Sequence, residues 1–280
     1  MTARSPDSNG AAPTPLPRGE LSDRIPGQSV LQELLVRHEA EAPRGRLRRL
    51  FGSSPLGPDS QPWYSGSLGE RSVGRSLQQL GPAWTVVHAV PVGRGTSDID
   101  HVLIGPGGVF TLNTKRHAGQ RVWAAGTAFL VGGRKQPHLR NALHEAERAS
   151  KLLSTVVGRP VEVHGVIVVV DAKSVVVKER HPRVAVLEQH QLVRWLQRRR
   201  PSLDREDVEA VSSAAVQAST WHRNPVESTD PALLEQRYAA LRAQVNHARR
   251  RRVGWTLAGF AATVISIAVF LPGLVAAILT

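Results

Sequence analysis

Asp98 and Asp100 stand two residues apart at the mouth of an apolar segment. A second apolar segment, beyond Gly105-Pro106-Gly107-Gly108, ends in Lys115. The glycines and proline make a tight turn, so the two segments read as a hairpin. The start of its first strand then lies beside the end of its second, which brings Asp100 and Lys115 together. Side chains alternate along the return strand, so Asn113 and Lys115 share a face and Thr114 takes the other. A carboxylate beside a lysine at a sheet edge suits metal-assisted phosphodiester cleavage. The acid holds Mg²⁺, or Mn²⁺, through oxygen; metal and lysine together activate a water and stabilise charge developing on phosphorus. The same residue types also suit a turn, a strand cap and a solvated strand end, and spacing alone leaves both readings open.

The elements that must position these residues alternate in type. Helical spacing covers residues 68–80, where Leu68, Val73, Leu77 and Leu80 can share a side. Strand patterns follow at 84–90, 99–104 and 109–114, and a short hairpin at 121–125 and 128–131 is split by Gly126-Thr127. A long helix is expected over 139–157. The Val/Ile run at 161–170 reads as a strand buried on both faces. Strands at 174–177 and 184–187 precede helices at 192–199 and 205–217. This order predicts an α/β domain, a mixed sheet flanked by helices.

Both ends differ from this centre. Residues 1–65 hold nine of the 19 prolines, and apart from a helical pattern near 29–42 they read as a disordered, low-complexity arm. No basic start followed by an apolar run opens the chain, so a cleavable signal peptide is not expected. Residues 253–279 carry no charge, and 253–271 is a 19-residue apolar run, close to the roughly 20 residues needed to cross a bilayer. Arg249, Arg250, Arg251 and Arg252 precede it, so the positive-inside rule predicts one transmembrane helix with the N-terminal bulk cytoplasmic. Its flanking arginines can pair with anionic headgroups. Within 223–252, Leu234, Tyr238, Leu241 and Val245 recur at 4-3-4 spacing. A solvent-exposed connector helix is the expectation there, with a homodimer seam as the alternative. The expected divisions are 1–65 arm, 66–188 catalytic-type domain, 189–222 helical extension, 223–252 juxtamembrane helix and 253–279 membrane helix.

Charge and cysteine content narrow the chemistry. The chain has 36 Lys+Arg against 23 Asp+Glu and a net charge of +13. About +1 falls in residues 1–65, +8 in 66–222 and +4 in 223–252. The last share sets topology, and the +8 is available to a polyanion, DNA or RNA. The absence of cysteine excludes thiol nucleophiles, disulfides, Cys-ligated zinc and iron–sulfur clusters. Trp63, Trp84, Trp123, Trp195 and Trp221 are too dispersed for a base-stacking row and read as core or interface residues.

Gly69-Glu70, Asp98-Ile99-Asp100-His101, Gly105-Pro106-Gly107-Gly108-Val109-Phe110 and Lys115 to Gly119 together resemble the NERD, or nuclease-related, domain over about residues 66–185. The resemblance implies a restriction-endonuclease-like, Mrr-type fold. It also implies a site in which Glu70 is the helix acid, Asp100 the strand acid and Lys115 the lysine, with Mg²⁺ on Asp100 and Glu70. Where the nuclease motif carries Glu two residues before the lysine, this chain has Asn113. Its amide oxygen can ligate Mg²⁺ but brings no charge. Glu145 and Glu147 are candidates to restore that charge. Their spacing suits surface pairs, Glu147 with Lys151 at i,i+4, and a surface role is the expectation. Arg94, in a glycine-flanked loop, and Arg116 and His117, beside the lysine, are the candidate nucleic-acid contacts. The function expected is a membrane-tethered, Mg²⁺-dependent nucleic-acid phosphodiesterase. The alternative is an inactive nucleic-acid-binding or membrane scaffold module on the same fold.

Overall fold

The computed structural model describes residues 20–92, 98–222 and 229–279. Its centre is a five-stranded sheet in the order β1-β2-β3-β7-β9. The first three strands, β1 (Thr85–Pro91), β2 (Asp98–Gly105) and β3 (Gly108–Arg116), form an antiparallel meander. β7 (Val163–Val170) and β9 (Val184–Glu188) then add in parallel. A second sheet of four strands joins β4 (Arg121–Ala125), β5 (Ala128–Val131), β6 (Arg134–Lys135) and β8 (Ser174–Glu179). The 121–131 hairpin read from the sequence belongs to this second sheet, so the α/β domain has two mixed sheets.

Helices cover both faces of the central sheet. On one side α3 (Gln61–Leu77) and α5 (Leu192–Gln197) pack Val73, Leu77, Leu192 and Leu196 against Phe110, Leu112, Val166 and Val168. On the other, α4 (His138–Val157) lays Ala146, Ala149 and Leu153 against Ile99, Val102 and Val109. α6 (Arg205–Val216) and α7 (Ala218–Trp221) close that side with Val211, Ala215 and Trp221, whose indole donates to the carbonyl of Ala215 at 2.8 Å. The Val/Ile run of β7 follows from this sandwiching. Val166, Val168 and Val170 feed one core while Ile167 and Val169 feed the other.

α3 begins seven residues earlier than its leucines suggest. Pro62 sits in its first turn, where the missing N–H costs nothing. Glu41 anchors that start by accepting from the N–H groups of Gly57 and Ser60 at 2.9 and 3.0 Å.

Two expectations about the ends are corrected. Residues 20–65 are not a disordered arm: α1 (Gln28–Ala40) and the short α2 (Arg46–Leu50) are formed, and Leu31, Leu34 and Leu35 are buried. Residues 223–228 lie outside the described residues, and over 231–252 the helix is not simply an exposed connector. α8 runs unbroken from Pro231 to Leu279, and Leu234, Tyr238 and Leu241 are buried against α1 and Tyr64. The 4-3-4 seam is real, and its partner is a helix of the same chain. Beyond it, α8 is long and apolar enough to cross a membrane, and among the described residues none of its apolar window is buried. Residues 253–271 span roughly 28 Å at 1.5 Å per residue, close to a hydrocarbon core.

Candidate active site

The site forms where β2 and β3 separate. Their ladder runs from Gly105↔Gly108 to His101↔Leu112 and no further. Beyond it, the carboxylate of Asp100 takes the place of a strand acceptor and receives the N–H of Thr114 at 2.5 Å. On the other flank of β2, the register with β1 passes from His88↔His101 to Val90↔Ile99. The residue skipped there, Ala89, has φ of 46°, a left-handed kink opposite Asp100. His101 does not join the site; its ring pairs with His88 at 2.9 Å between Nδ1 atoms, one donating and one accepting.

Glu70 reaches the same place from α3. That helix lies very close to β3 because residue 69 is glycine. A Cβ there would stand 3.2 Å from Cβ of Arg116 and 3.3 Å from Cγ2 of Thr114. Glu70 is buried, and its Oε2 has no hydrogen-bond partner. Burial first, then the charges of Asp100 and Asp98, push its carboxyl well above the carboxylate range, and Lys115 opposes them. Asp100 is likewise raised by burial, with Lys115 and the Thr114 N–H pulling it down. Asp98, raised to about 6 by burial and by Asp100, accepts from the Ser29 side chain and feels the charge of Arg24. The glutamate, both aspartates and the lysine therefore share one electrostatic neighbourhood.

Asn113 lies beside them with an acid of its own. Its Nδ2 donates to both carboxylate oxygens of Glu145, at 2.7 and 2.8 Å, and its buried Oδ1 has no partner. Glu145 projects from α4, and burial lifts its carboxyl to about 7 despite the Asn113 bond. The surface role expected of Glu145 is thus corrected. Glu147 does lie on the surface, but with Arg183 at 2.9 Å rather than with Lys151. Asn113 thus stands one hydrogen bond from a carboxylate.

The remaining candidates are dispersed. Arg94 lies outside the described residues. Arg116 is held by Asp171 at 2.6 Å and by Ser65 at 3.0 Å. The ring of His117 stacks on His138, with centroids 5.4 Å apart, and the Nε2 atoms of both are buried without a partner. Burial and Lys115 lower both, His138 to about 4, so two neutral imidazoles flank the lysine. No spacing signal in the sequence joins His138 or Glu145 to the hairpin. Residues 20–29 run past the acids, where Ser29 and Arg24 act on Asp98. Glu20 bridges to Gln217, Leu21 donates to the carbonyl of Val216 at 2.7 Å, and Arg24 donates to Ser29 at 3.1 Å.

A hard divalent cation fits this donor set. Three buried oxygens, on Glu70, Asp98 and Asn113, lack partners, and the acids repel one another. Among the described residues no three His, Asp or Glu side chains form a ready cage. Mg²⁺ does not need one, since it is commonly held by one or two carboxylates and keeps several waters. No curated protein and no solved structure matches the chain at the significance required. Residues 65–170 do match the model of one protein family, the nuclease-related (NERD) domain, and the match encloses Glu70, Asp98, Asp100, Asn113, Lys115 and Glu145.

Proposed function

We propose that this chain is a membrane-anchored nucleic-acid phosphodiesterase that uses Mg²⁺ or Mn²⁺. The observation that carries the reading is the gathering of Glu70, Asp100, Lys115 and the Asn113–Glu145 pair where β2 and β3 part. Asp100, Glu70 and Oδ1 of Asn113 would hold the cation. When bound it supplies Lewis-acid polarisation of a phosphoryl oxygen and a more acidic water. The ammonium of Lys115 stabilises negative charge building on the non-bridging oxygens of the phosphate. Glu145, with its carboxyl near neutrality, accepts the proton of the attacking water, and Asn113 fixes its orientation. The apolar part of α8 crosses the bilayer, and the arginines before it keep the domain on the cytoplasmic side.

The test uses the full chain in lipid nanodiscs with Mg²⁺ or Mn²⁺, on single- and double-stranded DNA and RNA. Cleavage should fall at least 10²-fold in Asp100→Ala, Lys115→Ala and Glu145→Gln, while Glu147→Gln stays at the parent rate. Cleavage that survives both Asp100→Ala and Lys115→Ala overturns the assignment. A second reading, a binding module without turnover, is favoured by the uncharged Asn113. It predicts retention of nucleic acid that weakens steeply with salt, and no cleavage.

A further inference from the structure

α2 is five residues long, Arg-Leu-Arg-Arg-Leu, and none of its residues is buried. Leu47 is 72% exposed, Leu50 49% and the following Phe51 52%. Three neighbouring large apolar side chains, about half exposed or more, stand beside Arg46, Arg48 and Arg49 and form an amphipathic surface that the described residues leave largely open.

Its position along α8 is fixed closely. Arg252 donates to the carbonyl of Gly52 at 3.2 Å and Arg251 to that of Arg49 at 3.2 Å. The indole of Trp255 donates to the carbonyl of Leu50 at 2.9 Å, and its ring meets that of Phe51 at 5.2 Å between centroids. Gly52 makes this approach possible. A Cβ there would stand 2.4 Å from the backbone nitrogen of Arg252, and φ of 71° is itself left-handed. The amphipathic patch is therefore clamped where the charged part of α8 ends and its apolar part begins. Residues 42–55 and 243–258 contain eight arginines and no acid.

We infer that α2 and Phe51 form a second membrane contact, seated in the anionic headgroup layer of the bilayer that α8 spans. The charge selects that occupant over a second protein surface: eight arginines without an acidic partner among the described residues suit phosphate, and Leu47, Leu50 and Phe51 suit the acyl boundary a few ångströms deeper. Trp255 lies at the same level, where indoles favour the interface. The assignment rests on α8 being the anchor, and the experiment separates the two.

Because the chain has no cysteine, single cysteines can carry an environment-sensitive fluorophore at Leu47→Cys, at Ala262→Cys in the apolar helix and at exposed Val36→Cys on α1. The full chain is placed in nanodiscs of phosphatidylcholine alone or of equal phosphatidylcholine and phosphatidylglycerol. The label at 262 should be blue-shifted in both. The label at 47 should be blue-shifted and quenched by lipid-borne spin labels, more so with phosphatidylglycerol, and Arg46→Gln/Arg48→Gln/Arg49→Gln should remove that increment. A label at 47 as aqueous as the one at 36, with 262 buried, overturns the interfacial contact and leaves the anchor standing. An aqueous label at 262 overturns both. A blue shift at 47 without lipid quenching signals contact between copies of the chain and also counts against the proposal.

Discussion

Asp98 is the residue on which the electrostatic tension of the site is easiest to measure. Burial and Asp100 push its carboxyl up to about 6, against the Ser29 hydrogen bond and the charge of Arg24. A group whose pKa is higher folded than unfolded lends its full stability below the unfolded value, about 4, and loses it as the pH rises through the folded one. In metal-free protein at pH 8 the ionised Asp98 therefore opposes folding. Asp98→Asn keeps the shape and removes the charge. It should stabilise the chelator-treated chain by about 1–2 kcal/mol at pH 8, after solvent screening, and by nothing measurable at pH 4. Urea unfolding at the two pH values checks this, and an equal gain at both would sink the electrostatic account. The same residues mark how far the site can be read without a structure. Asp100 and Lys115 declare themselves because a hairpin is local: its turn fixes which residues lie side by side. Glu145 does not, since its bond to Asn113 joins residues 32 apart through a second hairpin and a helix. Helical spacing alone gave Glu145 and Glu147 the same standing, and only the docking of α4 on the sheet separates them.

At the scale of elements, the strands were legible except the two-residue β6, and the helix partners were not. β7 announces itself by an apolar run that only a doubly covered strand can use. α1 carries just four buried positions in a proline-rich stretch, which is too little apolar surface to fold by itself. It folds because Leu31, Leu34 and Leu35 meet Leu234, Tyr238 and Leu241 about two hundred residues away. Periodicity in α8 revealed an apolar seam and was silent on what covers it. Arg71 adds a two-pronged bond to Glu235, at 2.6 and 2.9 Å, tying α3 to α8 on the same side. This three-helix junction makes Leu31 a sensitive test. It is fully buried, so Leu31→Ala should cost about 2–5 kcal/mol by leaving a cavity between α1 and α8. Val36→Ala, on the 64% exposed flank of the same helix, should stay within about 0.5 kcal/mol. Chemical denaturation followed by tryptophan fluorescence reads both. A Leu31→Ala loss no larger than that of Val36→Ala would mean that α1 is not part of the folded unit.

For the whole molecule, the positive charge does not sit on the acids. Arg198, Arg199 and Arg200, with Arg159 paired to Asp207, line a cleft of about 700 Å³ beside Gly107 and Gly108, at the turn end of the β2–β3 hairpin. Asp100 and Lys115 stand at its other end, five to seven residues away, or roughly 20 Å at 3.3 Å per residue. A polyanion engaging both ends would have to run the length of the hairpin, so on the proposed function the working unit is larger than the two strands that hold Asp100 and Lys115. Stability argues the same way. The family match ends at residue 170, with β7. Beyond it lie β9, which covers the open edge of β7, and β8, which completes the second sheet. Val211, Ala215 and Trp221, which close the α4 side of the core, also lie beyond it. A chain cut to residues 65–170 would expose an apolar parallel edge and half a core, the conditions under which strands aggregate. Residues 20–252 retain every buried cluster and stop before the apolar helix. We therefore expect 20–252 to be monodisperse on size exclusion and to unfold in one cooperative urea transition. The 65–170 fragment should aggregate or melt without a baseline. If the fragment unfolded cooperatively with the midpoint of 20–252, the flanking helices and β9 would be accessories, and Glu70, Asp98 and Asp100 would owe their burial to the matched region alone.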